Sequence, residues 1–97
     1  MYITISTTSD CKKTLNNITK KILSDKLSPC IQRYKKIEST YAWKDKIENN
    51  REYKIDIKTI TLYEKNIFNL IKKMHNYDIP EIISFEIKLL NKEYEEW

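Results

Sequence analysis

The stretch Cys30–Lys58, CIQRYKKIESTYAWKDKIENNREYKIDIK, decides the fold of this chain, because it reads as two extended arms joined by a tight turn. In residues 30–43 the alternation of side chains changes parity near residues 35–36, which predicts a β-bulge there. The turn is expected at Lys44–Lys46, where Asp45 is best able to take the left-handed conformation that glycine usually supplies. We therefore predict a long β-hairpin in the middle of the chain.

The segments on either side of the hairpin alternate between strand and helix patterns. Residues 2–7 alternate isoleucine with tyrosine and threonine, which is typical of a half-buried strand. Ser9 or Asp10 is expected to cap a helix that runs to about Lys26. After the hairpin, Thr61–Glu64 has the form of a capping box that opens a second helix.

The final third of the chain predicts one more strand and a short tail. Pro80 opens this strand, in which Ile83, Phe85 and Ile87 share one face, and residues 92–97 are expected to form a short helical turn. Apolar residues that recur at strand or helix spacing form the expected core: Ile3, Ile5, Cys11, Leu15, Ile18, Ile22, Tyr53, Ile55, Ile57, Tyr63, Ile67, Leu70, Ile71 and Met74.

The order strand, helix, strand, strand, helix, strand predicts an α+β fold, the ferredoxin-like βαββαβ sandwich. Both helices should cover one face of an antiparallel sheet, and right-handed crossovers place the second and fourth strands at its edges. We expect one domain over residues 1–97. The long β2-β3 hairpin leaves backbone groups unpaired at an edge, which favours pairing with another subunit.

The chain contains no glycine among its 97 residues, and this excludes several classes of site. Gly-rich phosphate loops and dinucleotide-binding fingerprints both need glycine for tight turns and close backbone approach. A composition of 40% hydrophobic and 33% charged residues is that of an ordered soluble protein. Nucleotide-binding loops of these kinds are therefore not expected.

The net charge of +4 arises from 18 Lys and Arg residues that are spread along the chain rather than clustered. We interpret them as a solvated lysine surface, and expect no binding to nucleic acid. The sequence shows no secretory signal and no apolar run of membrane-spanning length. A cytoplasmic protein with two reduced cysteines and no membrane contact is the expectation.

Topology separates the residues that are able to bind a metal. Cys11 begins the first helix and His75 ends the second, so both belong at one end of the sheet, whereas Cys30 starts the second strand at the other end. No disulfide can join the two cysteines within a chain. A metal site that used both Cys30 and His75 would need a neighbouring subunit. The alternatives are a buried, small apolar role for Cys30 and a helix-terminus charge role for His75.

Several polar and aromatic residues are candidates for lining a cleft. They are Lys46, Lys58, Asp78 and Glu81, together with Tyr41, Trp43 and Tyr77. For the aromatic residues near the hairpin turn, packing against another subunit is the alternative. His75 and Asp78 lie close in sequence but no serine in a strained nucleophile turn accompanies them, so we expect no enzyme activity.

Six segments, taken in order, resemble the CutA divalent-cation tolerance family. They are Thr7–Asp10, Lys26–Cys30, Tyr41–Ile47, Ile57–Thr59, His75–Ile82 and Tyr94–Trp97. The resemblance implies a ferredoxin-like homotrimer whose long hairpins pair between subunits. It also implies a link to copper tolerance and metal binding, and a likeness to trimeric nitrogen-regulatory signalling proteins.

The resemblance also assigns residues. Cys30 matches the family's cysteine at the start of the second strand, and His75 its histidine before the tyrosine-acid-proline run, which makes these two the metal candidates for Cu²⁺ or another divalent cation, weakly bound. The residues at positions around the family's inter-subunit cleft are Trp43, Lys46, Lys58, Tyr77, Asp78, Pro80 and Glu81, and all but Asp78 match the family's residue.

Four positions depart from the family pattern. Asp45 replaces a glycine, Asn76 a proline and Asp78 a glutamate, and Ser6 stands where some members have a cysteine. The leading hypothesis is a non-enzymatic, trimeric protein that responds to metal ions. The alternative is a trimer that senses a small molecule or an anion. An RNA-binding role is disfavoured, since the third strand lacks the Gly- and aromatic-rich signature.

Overall fold

Residues 1–96 are described by a computed structural model, and their strands and helices follow the expected order. The elements are β1 (Tyr2–Ser9), α1 (Lys12–Ser24), β2 (Cys30–Trp43), β3 (Lys46–Ile60), one 3₁₀ turn (Thr61–Tyr63), α2 (Glu64–Met74), β4 (Ile82–Ile87) and α3 (Lys92–Glu96). The predicted helical tail is confirmed as far as Glu96, and Trp97 lies outside the described residues.

The sheet is antiparallel with the strand order β2-β3-β1-β4, so β2 and β4 are its edges, as predicted. We call the end at Tyr2, Ile60 and Ile87 the lower end and the end at Ser9 and Tyr53 the upper end. These names fix the position of each site residue below.

The core lies between one face of the sheet and both long helices. Its fully buried members come from β1, α1, β3 and α2: Ile3, Ile5, Leu15, Ile18, Ile22, Ile55, Ile57, Ile67 and Ile71. Full burial of one such side chain stabilises the fold by about 1.5–3 kcal/mol. The alternation in β1 and β3 and the helical spacing in α1 and α2 therefore build the sandwich that the sequence predicts.

The other face of the sheet lies away from the core and from the two long helices. Ile83 and Phe85 share this open face and are about half exposed, at 47% and 49%. The register explains this placement, because Ile83 pairs with Ser6 and Phe85 with Thr4, both on the face of β1 away from the core isoleucines. In β4 it is instead Ile82 that packs on the core.

The hairpin of β2 and β3 extends beyond the upper end of the sheet as a two-stranded arm, residues 37–52. The predicted bulge lies between Tyr34 and Ile37, with Lys36 in the left-handed region at φ 58°. At the tip, Lys44 and Asp45 both have positive φ, at 49° and 65°. This conformation gives the two-residue turn that matches the right-handed twist of a hairpin.

The predicted helix N-caps are wrong. The N-cap of α1 is Cys11 rather than Ser9 or Asp10, and the Ser9 hydroxyl instead accepts a bond from the Cys11 N–H at 3.0 Å. The capping box also does not form, because the Thr61 hydroxyl donates to the Met1 carbonyl instead, and the Glu64 carboxylate accepts a bond from Ser84. The side chains that the local pattern assigns to capping therefore bond to residues that are distant in the sequence.

Helix α1 ends at Ser24, two residues before the predicted end. Lys26 takes the left-handed conformation at φ 57°, and its N–H bonds to the Leu23 carbonyl while the Leu27 N–H reaches the Ile22 carbonyl, both at 3.1 Å. This pair of bonds is the Schellman ending, made here with lysine because the chain has no glycine.

Candidate functional site

The His75 ring holds the start of the loop between α2 and β4 against the upper end of the sheet. Its Nε2–H donates to the Thr8 carbonyl at 2.8 Å, and its Nδ1 accepts the Tyr77 N–H at 3.0 Å. A carbonyl only accepts, so the ring is the neutral tautomer with its proton on Nε2. Both nitrogens are engaged, and His75 binds a cation only by giving up one of these bonds.

The Tyr77 phenol joins this loop to the base of the hairpin arm. It donates to the Glu52 carboxylate at 2.7 Å and accepts the Asp10 N–H at 2.8 Å. Burial, and secondarily the bond to Glu52, raise the pKa of Tyr77 above the ordinary value of a phenol. Glu52 itself is 7% exposed, so the phenol is the donor that satisfies a buried carboxylate.

Asn76 connects the same loop to the turn between β1 and α1. Its carbonyl oxygen accepts the Ser9 hydroxyl at 2.6 Å, and its amide donates to the Asp10 carboxylate at 2.9 Å. The proline of the family pattern has no side-chain polar group and makes neither bond. Asparagine in place of the proline that the resemblance implies therefore adds hydrogen bonds at the upper end.

Cys30 lies at the lower end, as the topology predicted. It is half-buried, and its N–H donates to the Ser28 hydroxyl at 3.1 Å. Cys30 pairs with Lys58 and Lys58 with Thr4, whereas His75 contacts Thr8. Four residues of strand, roughly 13 Å, therefore separate the two metal candidates along the sheet.

No three His, Cys, Asp or Glu side chains come together as a metal site within residues 1–96. The two cysteines are free thiols, in agreement with the separation that excluded a disulfide. Cys30 and His75 stay candidates from the sequence, each at a different end of the sheet.

The predicted cleft residues fall into three groups in a single chain. Trp43 and Lys46 pair at the hairpin tip, where Trp43 is half exposed. Lys58 lies at the lower end, with its ammonium 5.7 Å from the centre of the Tyr94 ring. The upper-end group consists of Tyr77, the exposed Asp78 and Glu81, and the half-buried Pro80. The three groups do not meet within one chain.

The open face holds a polar cluster that was not predicted from the sequence. Asp56 is buried and accepts bonds from the Ser6 hydroxyl at 2.6 Å and the Tyr34 phenol at 2.7 Å, with the Lys54 ammonium at 3.8 Å. The bond to Asp56 raises the pKa of Tyr34. Alternation alone placed Asp56 and Lys54 on the side away from the core. Alternation does not predict the register between β2 and β3, and this register brings Tyr34 beside Lys54 and Asp56.

A cavity of about 490 Å³ opens at the lower end, beside Lys58. Its apolar walls come from the end of α1, the start of β2 and the ends of β3 and β4, and include Leu23, Leu27, Pro29, Ile60 and Leu89. Glu95 also lines the cavity, and partial burial together with this carboxylate raises the pKa of the Tyr2 phenol. Among the residues that line this cavity, Lys58 is the one that the sequence predicted as a site residue.

Comparisons with known proteins show which family this chain is similar to. The sequence model of a family described as CutA1 divalent ion tolerance protein matches residues 3–97. A divalent-cation tolerance protein CutA from Thermococcus kodakarensis is 33% identical over 95 residues, which are 98% of this chain and 90% of that protein. The chloroplastic protein CutA 1 of Oryza sativa is 33% identical over 97 residues, all of this chain, which spans about half (52%) of that longer relative.

The same likeness holds in three dimensions. The crystal structure of CutA1 from Oryza sativa matches with a TM-score of 0.93 at 32% identity, covering 99% of this chain and 88% of that one. Among residues 1–96, no helix has the length and apolar character needed to cross a membrane.

Proposed function

This chain belongs to the CutA1 divalent ion tolerance family, and on that premise we propose that it works as a homotrimer that binds Cu²⁺ or a similar divalent cation weakly, without catalysing a reaction. The Thermococcus kodakarensis relative is a divalent-cation tolerance protein by name, and the copper site, the trimer and the absence of catalysis are the proposed parts.

The position of the Cys30 thiol carries the proposal. It is half-buried at the first residue of an edge strand, where the chain stops pairing with itself and a second copy has access. Thiolate sulfur is a soft ligand that suits copper and zinc. The Ser28 hydroxyl holds the backbone at this residue, since it accepts the Cys30 N–H at 3.1 Å and donates to the Lys58 carbonyl of the paired strand at 2.5 Å.

The unpaired surfaces of the chain support assembly. Both β2 and β4 are sheet edges with backbone groups open to another strand. On the open face, Ile83 and Phe85 of β4 are exposed. Exposed edges and apolar patches of this kind are usually covered by a partner. A trimer that covers them also places the cation beside groups of more than one chain.

In this proposal His75 of a neighbouring subunit is the second ligand. Its Nδ1 becomes available when the bond from the Tyr77 N–H opens, and its Nε2–H then remains on the Thr8 carbonyl. Metal-bound histidines commonly donate their other ring N–H to such a backbone carbonyl. The bond to Thr8 would therefore orient the ligand, and cation binding would release the Tyr77 backbone.

Anaerobic calorimetric titration of the reduced protein with Cu²⁺ and Zn²⁺ tests the proposal. Cys30→Ser should weaken binding about 10-fold or more, which is the scale of losing one ligand, and His75→Gln should weaken it comparably. Cys11→Ser is the matched control, because Cys11 is also a free, half-buried thiol, and it should bind as the unaltered chain does.

Equal binding by Cys30→Ser and the unaltered chain would contradict the metal site. Small carboxylates and phosphates titrated in the same way address the alternative of a metabolite or anion sensor. Micromolar binding of one of them, with no heat from either metal, would replace the proposed function by that alternative.

A further inference from the structure

We propose that the outer surface of the two long helices docks on a membrane surface rich in anionic phospholipids. We call this surface the helix layer, and its charged members are seven exposed lysines of α1 and α2: Lys12, Lys13, Lys20, Lys21, Lys65, Lys72 and Lys73. Neither the trimer nor the cation site proposed above is needed for this contact.

The fold collects lysines that are spread along the sequence. Besides the seven lysines, α1 and α2 contain a single acidic residue, Glu64, which is half-buried and accepts a bond from Ser84. Since the whole chain has a net charge of +4, the part of the chain outside these two helices is net negative. The expectation of a merely solvated lysine surface rested on positions in the sequence, and the packing of the helices concentrates the charge on one side of the molecule.

The lysines that point furthest from the core form a two-dimensional array. Lys13 and Lys20 lie opposite the buried residues of α1, and Lys65 and Lys72 lie opposite those of α2. The two helices run antiparallel, because α1 follows the upper end of β1 and α2 follows the lower end of β3. Lys13 is therefore nearest to Lys72 and Lys20 to Lys65, at the corners of a patch about 10 Å on each side.

The folded chain gives these charges little compensation. Among the ion pairs of residues 1–96, only the one between Lys21 and Asp25, at 3.3 Å, involves the helix layer. Lys12 and Lys13 also stand in the first turn of α1, where no acidic residue accompanies them and the helix dipole disfavours a cation. The lysines therefore repel one another in the free chain, and an anionic partner relieves that repulsion.

A phospholipid surface matches this array better than a nucleic acid does. Anionic headgroups form a plane of negative charge, and clusters of roughly four to eight basic residues on amphipathic helices bind such planes. Sequence-reading proteins contact the base edges of nucleic acid most often through arginine, and neither α1 nor α2 contains one. A flat array of lysines on two parallel axes is suited to a plane rather than to a groove.

Apolar side chains beside the lysines fit the same partner. Leu23 of α1 is 44% exposed and Phe68 of α2 is 42% exposed. The Lys72 ammonium lies 5.9 Å from the centre of the Phe68 ring, so charge and apolar surface are presented together. Leucine and phenylalanine enter the boundary between headgroups and acyl chains, while lysines stay with the headgroups. The phosphate backbone of a nucleic acid has no apolar layer to receive them.

Flotation with lipid vesicles tests the inference on the full chain, with a chelator present so that no metal bridges protein and lipid. One set of vesicles contains phosphatidylcholine alone, and the other contains phosphatidylcholine mixed with phosphatidylserine. The protein should float with the mixed vesicles and not with the neutral ones. Binding should weaken steeply as salt is raised above about 0.1 M, where the screening length falls below about 10 Å.

Two variants of equal net charge locate the contact on the molecule. The layer variant carries Lys13→Gln, Lys20→Gln, Lys65→Gln and Lys72→Gln. The control variant changes four exposed residues outside α1 and α2: Lys35→Gln, Arg51→Gln, Lys88→Gln and Lys92→Gln. Each variant lowers the net charge from +4 to zero, and circular dichroism checks that both are folded. Partitioning onto mixed vesicles should be about 10-fold or more weaker for the layer variant than for the control variant.

Phe68→Ala tests the apolar part of the contact. It should weaken partitioning onto mixed vesicles several-fold, and this difference should persist at high salt, because salt screens charges and not apolar burial. Leu90→Ala is the control, since Leu90 is 85% exposed and lies outside both helices, and it should stay within about 2-fold of the unaltered chain.

The contradicting outcomes are distinct. Equal partitioning by the layer and control variants, or no binding of the unaltered chain to mixed vesicles, overturns the inference. Equal partitioning by Phe68→Ala and Leu90→Ala removes the apolar contact and overturns the choice of a membrane. Tighter binding to an RNA or DNA duplex than to mixed vesicles at the same salt, lost in the layer variant, overturns it in favour of a nucleic acid.

Discussion

Tyr77 is the residue on which the upper end of the molecule depends most directly. Its phenol satisfies the buried carboxylate of Glu52 on the arm and the backbone N–H of Asp10 at the start of α1. Three segments that are distant in sequence therefore share one hydroxyl. Loss of that hydroxyl leaves a buried acceptor without its donor, which costs more than the bond itself contributed.

We expect Tyr77→Phe to lower the free energy of unfolding by about 1–3 kcal/mol at neutral pH. Tyr41→Phe is the control, because the Tyr41 hydroxyl only accepts a bond from Asn50 on the exposed arm. Its effect should stay within about 0.5 kcal/mol. Urea unfolding of both variants measures the difference, and equal effects would show that the Glu52 bond is not a significant stabilising contact.

The same phenol predicts a pH dependence. The pKa of Tyr77 is raised in the folded chain by burial and by Glu52, whereas the unfolded phenol loses its proton near pH 10. The stability from this proton is therefore complete below about pH 10 and is lost as the pH rises further. The gap in unfolding free energy between the unaltered chain and Tyr77→Phe should stay constant below about pH 10 and narrow as the pH rises above that value. A gap that widens contradicts this assignment.

The sequence predicted which single residues belong to a candidate site, but it did not predict their hydrogen-bond partners. The crowding of His75, Tyr77 and Asp78 after a helix marked a site from the sequence, yet the partners of the first two are Thr8 and Glu52, 67 and 25 residues away. Donor and acceptor roles follow from those distant partners. Periodicity carries no information about them.

At the scale of the elements, the absence of glycine shapes the hairpin. Lys36 at the bulge and Lys44 at the tip both have positive φ, a conformation that costs an ordinary residue roughly 1–2 kcal/mol. The bulge and the tight two-residue turn both require a residue with positive φ, and both set the twist of the arm.

Replacement of one of these lysines should stabilise the protein. Lys36→Gly is expected to raise the free energy of unfolding by about 0.5–1 kcal/mol, since glycine removes the strain but loses more entropy on folding. Lys35→Gly is the control next to it, at negative φ, and should instead destabilise by about 0.5–1 kcal/mol. Thermal unfolding compares the two, and a loss of stability in both variants would show that the bulge is not strained.

Elements were predicted well wherever a repeating pattern defines them. Alternation gave β1, the two arms and the bulge, and helical spacing gave α1 and α2 with Leu15 and Ile67 in the core. Helix starts were wrong, because Thr61 and Glu64 find partners at Met1 and Ser84 that local sequence does not reveal. Caps depend on tertiary neighbours, whereas periodicity depends only on which face is buried.

At the scale of the whole molecule, ligands shared between subunits would couple cation binding to assembly. Cys30 and His75 lie at opposite ends of the sheet, so a site that uses both joins two copies. A ligand that binds only the assembled state stabilises it by mass action. The fold class followed from the order of elements, but the distance between these residues across copies does not follow from one chain.

Copper should therefore stabilise the trimer. With Cu²⁺ at about 100 times its dissociation constant, the concentration at which the trimer dissociates should fall by 10-fold or more. Sedimentation velocity over a dilution series measures this shift. Cys11→Ser should show the same shift and Cys30→Ser a clearly smaller one at the same Cu²⁺ concentration, and an equal shift in both variants would place the cation elsewhere.

Native mass spectrometry of the reduced protein with one equivalent of Cu²⁺ tests the central claim most directly, since it reports assembly and cation content together. The predicted species contains three chains of 11.8 kDa with bound copper, and Cys30→Ser yields the trimer without copper. A copper-free monomer of the unaltered chain, or a Cys30→Ser trimer that carries as much copper, would contradict it.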